Sequence, residues 1–180
     1  DGAHNPDGIF SLISSLKKLQ KPVILVVGGS LGAVPVNKAV RAILPELLKD
    51  FNIIHLCGKG KLDESIQVEG YVQYEYIKDE LKDLFALSDI IISRAGANAI
   101  CEFLALQKPN LLIPLSAAAS RGDQILNAHS FERQGFSIVI EEEELTNELL
   151  LKSVQKLYDE KDAYIAAMKN SSMQDSIKTI

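Results

Sequence analysis

The stretch PVILVVGGSLGAVPVNKAV, residues 22–40, decides the fold. Its first half is a short β-branched apolar run that stops at Gly28-Gly29, the pattern of a strand buried on both faces. Its second half changes period. From Ala33 to Lys49, Val36, Val40, Ile43, Leu44, Leu47 and Leu48 fall on one stripe while Lys38, Arg41, Glu46 and Lys49 face away, which predicts one amphipathic helix over 33–49. Strand, glycine turn and helix in immediate succession form a β-α unit.

The same alternation continues outward from this unit. FNIIHLC (51–57), YVQYEY (71–76), DIIIS (89–93), LLIPL (111–115) and SIVI (137–140) read as strands, and 79–87, 97–107 and 122–134 read as helices. From Glu144 onward the pattern is that of two or three helices. Such alternation implies parallel strands joined by right-handed crossovers, hence an α/β, doubly wound parallel sheet of about six strands with helices on both faces. Ligands of such sheets bind at the carboxyl ends of the strands, so the search for function narrows to the strand-to-helix junctions.

A chain of 180 residues, 47% apolar, suits one domain with one core. The net charge of −5, from 19 basic and 24 acidic residues that intermingle, leaves no electrostatic footprint for nucleic acid. No stretch reaches the ~20 apolar residues that cross a bilayer, and the opening lacks the basic and apolar regions of a signal peptide. Cys57 and Cys101 each lie in an apolar pattern, far apart, and are expected to be reduced and buried, which points to a cytosolic compartment. The chain opens on Asp1 within a turn-rich segment, so a piece of a longer protein is expected, with residues 1–20 as a linker or added leader.

Three junctions carry the candidate chemistry. At the first, Gly28-Gly29-Ser30-Leu31-Gly32-Ala33 lets the backbone approach an anion and presents the free N–H groups of a helix start, with the Ser30 hydroxyl as a further donor; a plain tight turn reads equally well. The dinucleotide fingerprint fails because Ser30 stands at its second glycine and the second strand ends at Cys57-Gly58 without an acid. Gly58-Lys59-Gly60-Lys61 lacks the Ser or Thr that completes a P-loop and reads as a solvated turn.

At the second junction, Ser93-Arg94-Ala95-Gly96-Ala97-Asn98 leads into a helix that carries Glu102. Glu102 there is either a carboxylate for a ribose diol or a complement to the positive helix end. Arg94 is either a partner for a diphosphate or half of a structural ion pair. At the third, Gly122-Asp123-Gln124 opens a helix on which Asp123 and Asn127 share a face, suited to sugar hydroxyls or simply to a capped, solvated helix end. His4, His55 and His129 form neither a metal set nor a triad; His55 fits a satisfied core or edge residue, and no general base is visible.

Taken together, GGSLGA (28–33), SRAGANAICEFLALQKP (93–109) and SRGDQILNAHSFERQG (120–135) resemble the C-terminal lobe of the MurG family. These are the undecaprenyl-diphospho-muramoylpentapeptide β-N-acetylglucosaminyltransferases, inverting enzymes of the two-lobed GT-B fold. The resemblance runs from about Lys21 to the end, and HLCGKGKLDE (55–64) and EYIKDEL (75–81) resemble forms from Gram-positive bacteria.

The resemblance implies a Rossmann-like lobe that holds UDP-N-acetylglucosamine for peptidoglycan synthesis. It further implies that Ser30 and the backbone of Gly29, Leu31 and Gly32 approach the diphosphate, and that backbone groups of Ile77 and Lys78 meet the uracil edge. Glu102 would hold the ribose, Gly96, Ala97 and Asn98 would present N–H groups to sugar and phosphate, and Asp123, Gln124 and Asn127 would read the sugar hydroxyls. Leu31 and Asp123 depart from the residues common in the family, which bears on donor identity. No metal or cofactor is implied. The base, the groove for the lipid-linked acceptor and most of the peripheral contact with the cytoplasmic face of the membrane would belong to an N-terminal lobe, so the chain alone is expected to be inactive. A single-lobe subunit of a heteromeric transferase, a nucleotide-sugar-binding module and a related glycolipid glucosyltransferase are the alternatives.

Overall fold

The structure, a computed structural model, describes residues 6–18, 20–29 and 33–178. Six strands form one sheet: β1 (Val23–Val27), β2 (Asn52–Leu56), β3 (Tyr71–Tyr74), β4 (Ile90–Ser93), β5 (Asn110–Leu112) and β6 (Ser137–Val139). Their spatial order is β3-β2-β1-β4-β5-β6, and every neighbouring pair is parallel. This is a doubly wound sheet whose order reverses between β1 and β4, and ligands of such sheets bind in the crevice at that reversal.

Apolar residues on successive positions of a strand point to opposite faces, so a continuous run such as Val23–Val27 needs cover on both. On one face Val23, Leu25, Ile54 and Ile91 pack under α1 (Pro6–Lys18), α4 (Leu81–Leu87), α5 (Ala97–Ala105), α6 (Asp123–Arg133) and Met168 of α8 (Lys161–Lys178). On the other, Ile24, Val26, Ile53 and Ile92 pack under α2 (Ala33–Ala42), α3 (Leu44–Leu47) and α7 (Asn147–Asp159). Two cores back to back hold the sheet rigid between them. The crests above its carboxyl edge therefore have a fixed floor.

Two expectations are corrected here. The single helix over 33–49 is broken at Ile43 into α2 and α3, because Pro45 brings no N–H for the helix ladder and its ring crowds the carbonyl four residues back. Cys101 is exposed on the outer side of α5 rather than buried, although Cys57 is buried as expected. Within residues 1–20, α1 buries Ile9 and Leu16 in the first core. Among the described residues no helix is long and apolar enough to cross a membrane.

Candidate functional site

The first crest leaves β1 at Gly28 and Gly29. Gly28 is needed for close packing: a Cβ placed there would lie 2.8 Å from the Ala33 Cβ and 3.2 Å from Asn37 Oδ1. Its N–H donates to the Leu56 carbonyl at 3.1 Å, which ties the crest to β2. Gly29 has φ +80°, a conformation that favours glycine. Ser30, Leu31 and Gly32, assigned to the diphosphate, lie outside the described residues.

Beneath this crest a buried polar network braces α2, β2 and β3. Asn37 Nδ2 donates to the Cys57 carbonyl at 2.8 Å, so its Oδ1 faces His55 Nε2 at 2.8 Å and accepts from it. His55 Nδ1 is then the acceptor for the Tyr71 hydroxyl, also at 2.8 Å. Burial, reinforced by the Arg41 charge, pushes the His55 pKa down to about 3. His55 is thus a neutral structural residue, as its place in a strand suggests.

The second crest leaves β4. Because Val27 pairs with Ser93 in the sheet register, it rises directly beside the first. Gly96 is the N-cap of α5 with extended backbone and no side-chain cap, and a Cβ built on it meets nothing within 4 Å. The first N–H groups of a helix have no intrahelical partner, so the start of α5 aims free donors at this open space. Asn98 and Glu102 sit four apart on α5 and share one stripe, while Ile100 and Phe103 face the core. Glu102 is half-buried.

Arg94 turns its Nη1 to the loop after β5. It is buried, and its Nη1 donates to the carbonyls of Ile113 (3.1 Å) and Pro114 (3.3 Å) and to Glu142 Oε2 (2.9 Å). The structural ion pair is therefore the correct reading of the two. Through Nη1 the guanidinium holds the β5 loop to the short 3-10 turn at Glu142–Glu144.

The third crest follows β5 and enters α6 through Gly122, whose φ of +84° fits glycine. The expected helix start is found, but two of its polar side chains have local partners. Gln124 Oε1 accepts from the N–H groups of Ala95 (3.3 Å) and Leu115 (2.9 Å), and Asn127 Nδ2 donates to the Ala95 carbonyl at 3.2 Å. These bonds knit the second and third crests into one rim. Asp123 is exposed at the helix entrance.

A cavity of about 320 Å³ opens on the β2 side of the first crest. Val27, Gly29, Leu56, Ile77 and Leu81 make most of its wall, with Lys59, Glu75 and Tyr76 at polar positions. Ile77, whose backbone was assigned to the uracil edge, is one of the wall residues. Lys78 is exposed, outside the wall, and its carbonyl accepts from Leu81 N–H at 3.4 Å. Sequence reasoning missed this cavity and its residues Lys59, Glu75 and Tyr76, because three strand ends build it jointly. The one available signal was Gly58-Lys59-Gly60 at the end of β2.

Residues 23–180 match the model of the family described as glycosyltransferase family 28 C-terminal domain. The chain belongs to that family. Two family 28 relatives are named UDP-N-acetylglucosamine–N-acetylmuramyl-(pentapeptide) pyrophosphoryl-undecaprenol N-acetylglucosamine transferase. That of Lachnospira eligens is 65% identical over 161 residues, covering 89% of this chain and 46% of the relative. That of Lachnoclostridium phytofermentans is 66% identical over 160 residues, covering 88% and 45%. The chain spans about half the length of the curated relatives it matches. Among solved structures, MurG of Acinetobacter baumannii superimposes with a TM-score of 0.71 at 23% identity, over 89% of this chain and 50% of that one, a likeness of fold. The family 28 fold thus agrees with the six-stranded parallel sheet.

Proposed function

We propose that this chain is the donor-binding lobe of a transferase that moves N-acetylglucosamine from UDP-N-acetylglucosamine to undecaprenyl-diphospho-muramoyl-pentapeptide. The observation that carries the reading is the convergence of three crests at the strand-order reversal, in a chain 65% identical to transferases named for that reaction.

The uracil enters the cavity beside Ile77, whose volume lies at the lower end of the ~300–1,000 Å³ range of small-molecule sites. Glu102 accepts from the ribose hydroxyls. The diphosphate lies over the Gly29 crest and the start of α5, where uncapped N–H groups stabilise charge as it develops on the leaving group. The hexosamine extends toward Asn98, Asp123, Gln124 and Asn127. No metal or cofactor takes part.

Inverting transfer also needs a base that takes the proton of the acceptor hydroxyl. That base and the lipid-acceptor groove belong to the other lobe of the complete enzyme, which works peripherally on the cytoplasmic face of the membrane. The chain alone accordingly binds donor and transfers nothing.

Calorimetry with UDP-N-acetylglucosamine, UDP-glucose and UDP tests the reading. Measurable UDP binding with a preference for the N-acetylglucosamine donor over UDP-glucose is expected. Absence of UDP binding, or a preference for UDP-glucose, would overturn it.

A further inference from the structure

A nucleoside diphosphate brings several negative charges into a lobe whose own net charge is −5. Helix starts offset only part of this, at about 0.3–1 kcal/mol each. A cation near the crest would offset more of it, and Nη1 of Arg94, the candidate suggested by the sequence, is committed to Glu142 and two carbonyls.

Lys59 is next in sequence to the residue that abuts the first crest. Among the described residues that wall the cavity it is the one cation. Its neighbour Gly58 abuts the first crest, since a Cβ built on Gly58 would lie 3.5 Å from the Gly29 carbonyl oxygen. Lys59 is also held by a built turn. Gly58 N–H donates to the Glu75 carbonyl at 2.9 Å, Gly60 N–H to Glu75 Oε1 at 2.9 Å, and Lys61 N–H back to the Gly58 carbonyl at 3.2 Å. Gly58 and Gly60 both adopt positive φ, +92° and +72°, so glycine on either side is what allows this turn to close.

The electrostatics are also favourable. Glu75, the one acid among the described lining residues, has an oxygen engaged by Gly60 N–H. Lys59 itself makes no hydrogen bond or ion pair with any other described residue. Its side chain is exposed and carries the ammonium on a flexible four-carbon stem.

We infer that Lys59 is the side chain that pairs with the diphosphate of the bound nucleotide, and so sets the preference of this site for diphosphate over uncharged nucleoside. The inference rests on the donor-binding reading above and adds to it a charged contact that the sequence did not suggest.

The test is calorimetry of wild type, Lys59→Met and Lys59→Arg with uridine and with UDP, at low and high salt. Lys59→Met is expected to weaken UDP roughly tenfold, the scale of one hydrogen bond to a charged group, while leaving uridine within about twofold. Lys59→Arg should retain most of the UDP affinity. The loss on adding salt should be smaller for Lys59→Met than for wild type, because one charge pair is gone. Equal weakening of uridine and UDP would assign Lys59 to the base and overturn the inference. Unchanged UDP binding by Lys59→Met, with wild type binding UDP, would also overturn it while leaving the donor-binding reading intact. Failure of the wild type to bind either ligand would bring down both.

Discussion

Arg94 and Glu142 lie 48 residues apart in sequence and meet at 2.9 Å, joining the crest of β4 to the turn that follows β6. Arg94 is only 5% exposed and Glu142 22%, so water screens the pair poorly. Removing one member of such a pair strands the other and the two carbonyls that Arg94 serves. Arg94→Met should lower unfolding stability in urea by about 2–4 kcal/mol, somewhat under the cost for a wholly buried pair. Adding Glu142→Gln should recover part of the loss, and a strictly additive double mutant would deny the coupling.

Two glycines at neighbouring crests should respond unequally to alanine. At Gly28 the new methyl group meets the Ala33 Cβ at 2.8 Å, so α2 must shift from β1, at about 1–3 kcal/mol. At Gly96 the methyl group enters open space with compatible backbone angles, so the change should cost about 0.5–1 kcal/mol, the difference between glycine and alanine at an N-cap. Thermal melts of the two variants give the comparison; equal losses would contradict it.

The two described histidines pull stability in opposite directions with pH. His55 is buried, and its folded pKa of about 3 lies below the ordinary 6.5. The unfolded chain takes up its proton first, so the contribution of His55 is complete above pH 6.5 and declines as pH falls toward 3. His129 bridges Glu141 (2.7 Å) and Glu132 (2.9 Å), which raise its pKa above 6.5. Here the folded chain holds the proton more tightly, so the contribution is complete below pH 6.5 and fades as pH rises through the raised value. Urea midpoints measured across pH should lose their alkaline-side decline in His129→Gln and keep their acid-side one. Loss of the acid-side decline instead would reverse the two assignments.

Glu102→Ala should fold normally, since the side chain is half-buried and makes no hydrogen bond or ion pair with any other described residue. If its carboxylate accepts from the ribose, UDP affinity should fall by about 1.5–3 kcal/mol. The variant should also bind UDP and its 2′-deoxy counterpart alike. An undiminished UDP affinity would leave Glu102 as a charge near a helix end.

The strands and their parallel order of succession were legible because runs such as PVILVV and DIIIS are apolar on both faces, which only a covered sheet accommodates. The break at Ile43 was legible too, in Pro45, but an unbroken hydrophobic stripe across it outweighed the single residue. In the leader, Ile9, Leu12, Ile13 and Leu16 carry helical spacing, masked by the Asn5-Pro6 and Gly8 beside it. At the site, glycine crests and helix starts could be read locally, since they depend on backbone freedom. The engagement of Arg94 by Glu142, the use of Gln124 as a brace and the cavity beside Lys59 could not. Each joins segments from different strand ends, and nothing in the local spacing of either partner announces the other.

Val27 and Ser93 are hydrogen-bonded neighbours in the sheet, yet a whole half-sheet is threaded between them in the chain. The crevice therefore has no early, local precursor: it comes into being only when β4 docks against β1 and closes that long loop. Ligand capture is in this sense a certificate of completed folding. A nucleotide that binds here should act as a late clamp, slowing escape from the native state while leaving the first encounters of the chain untouched.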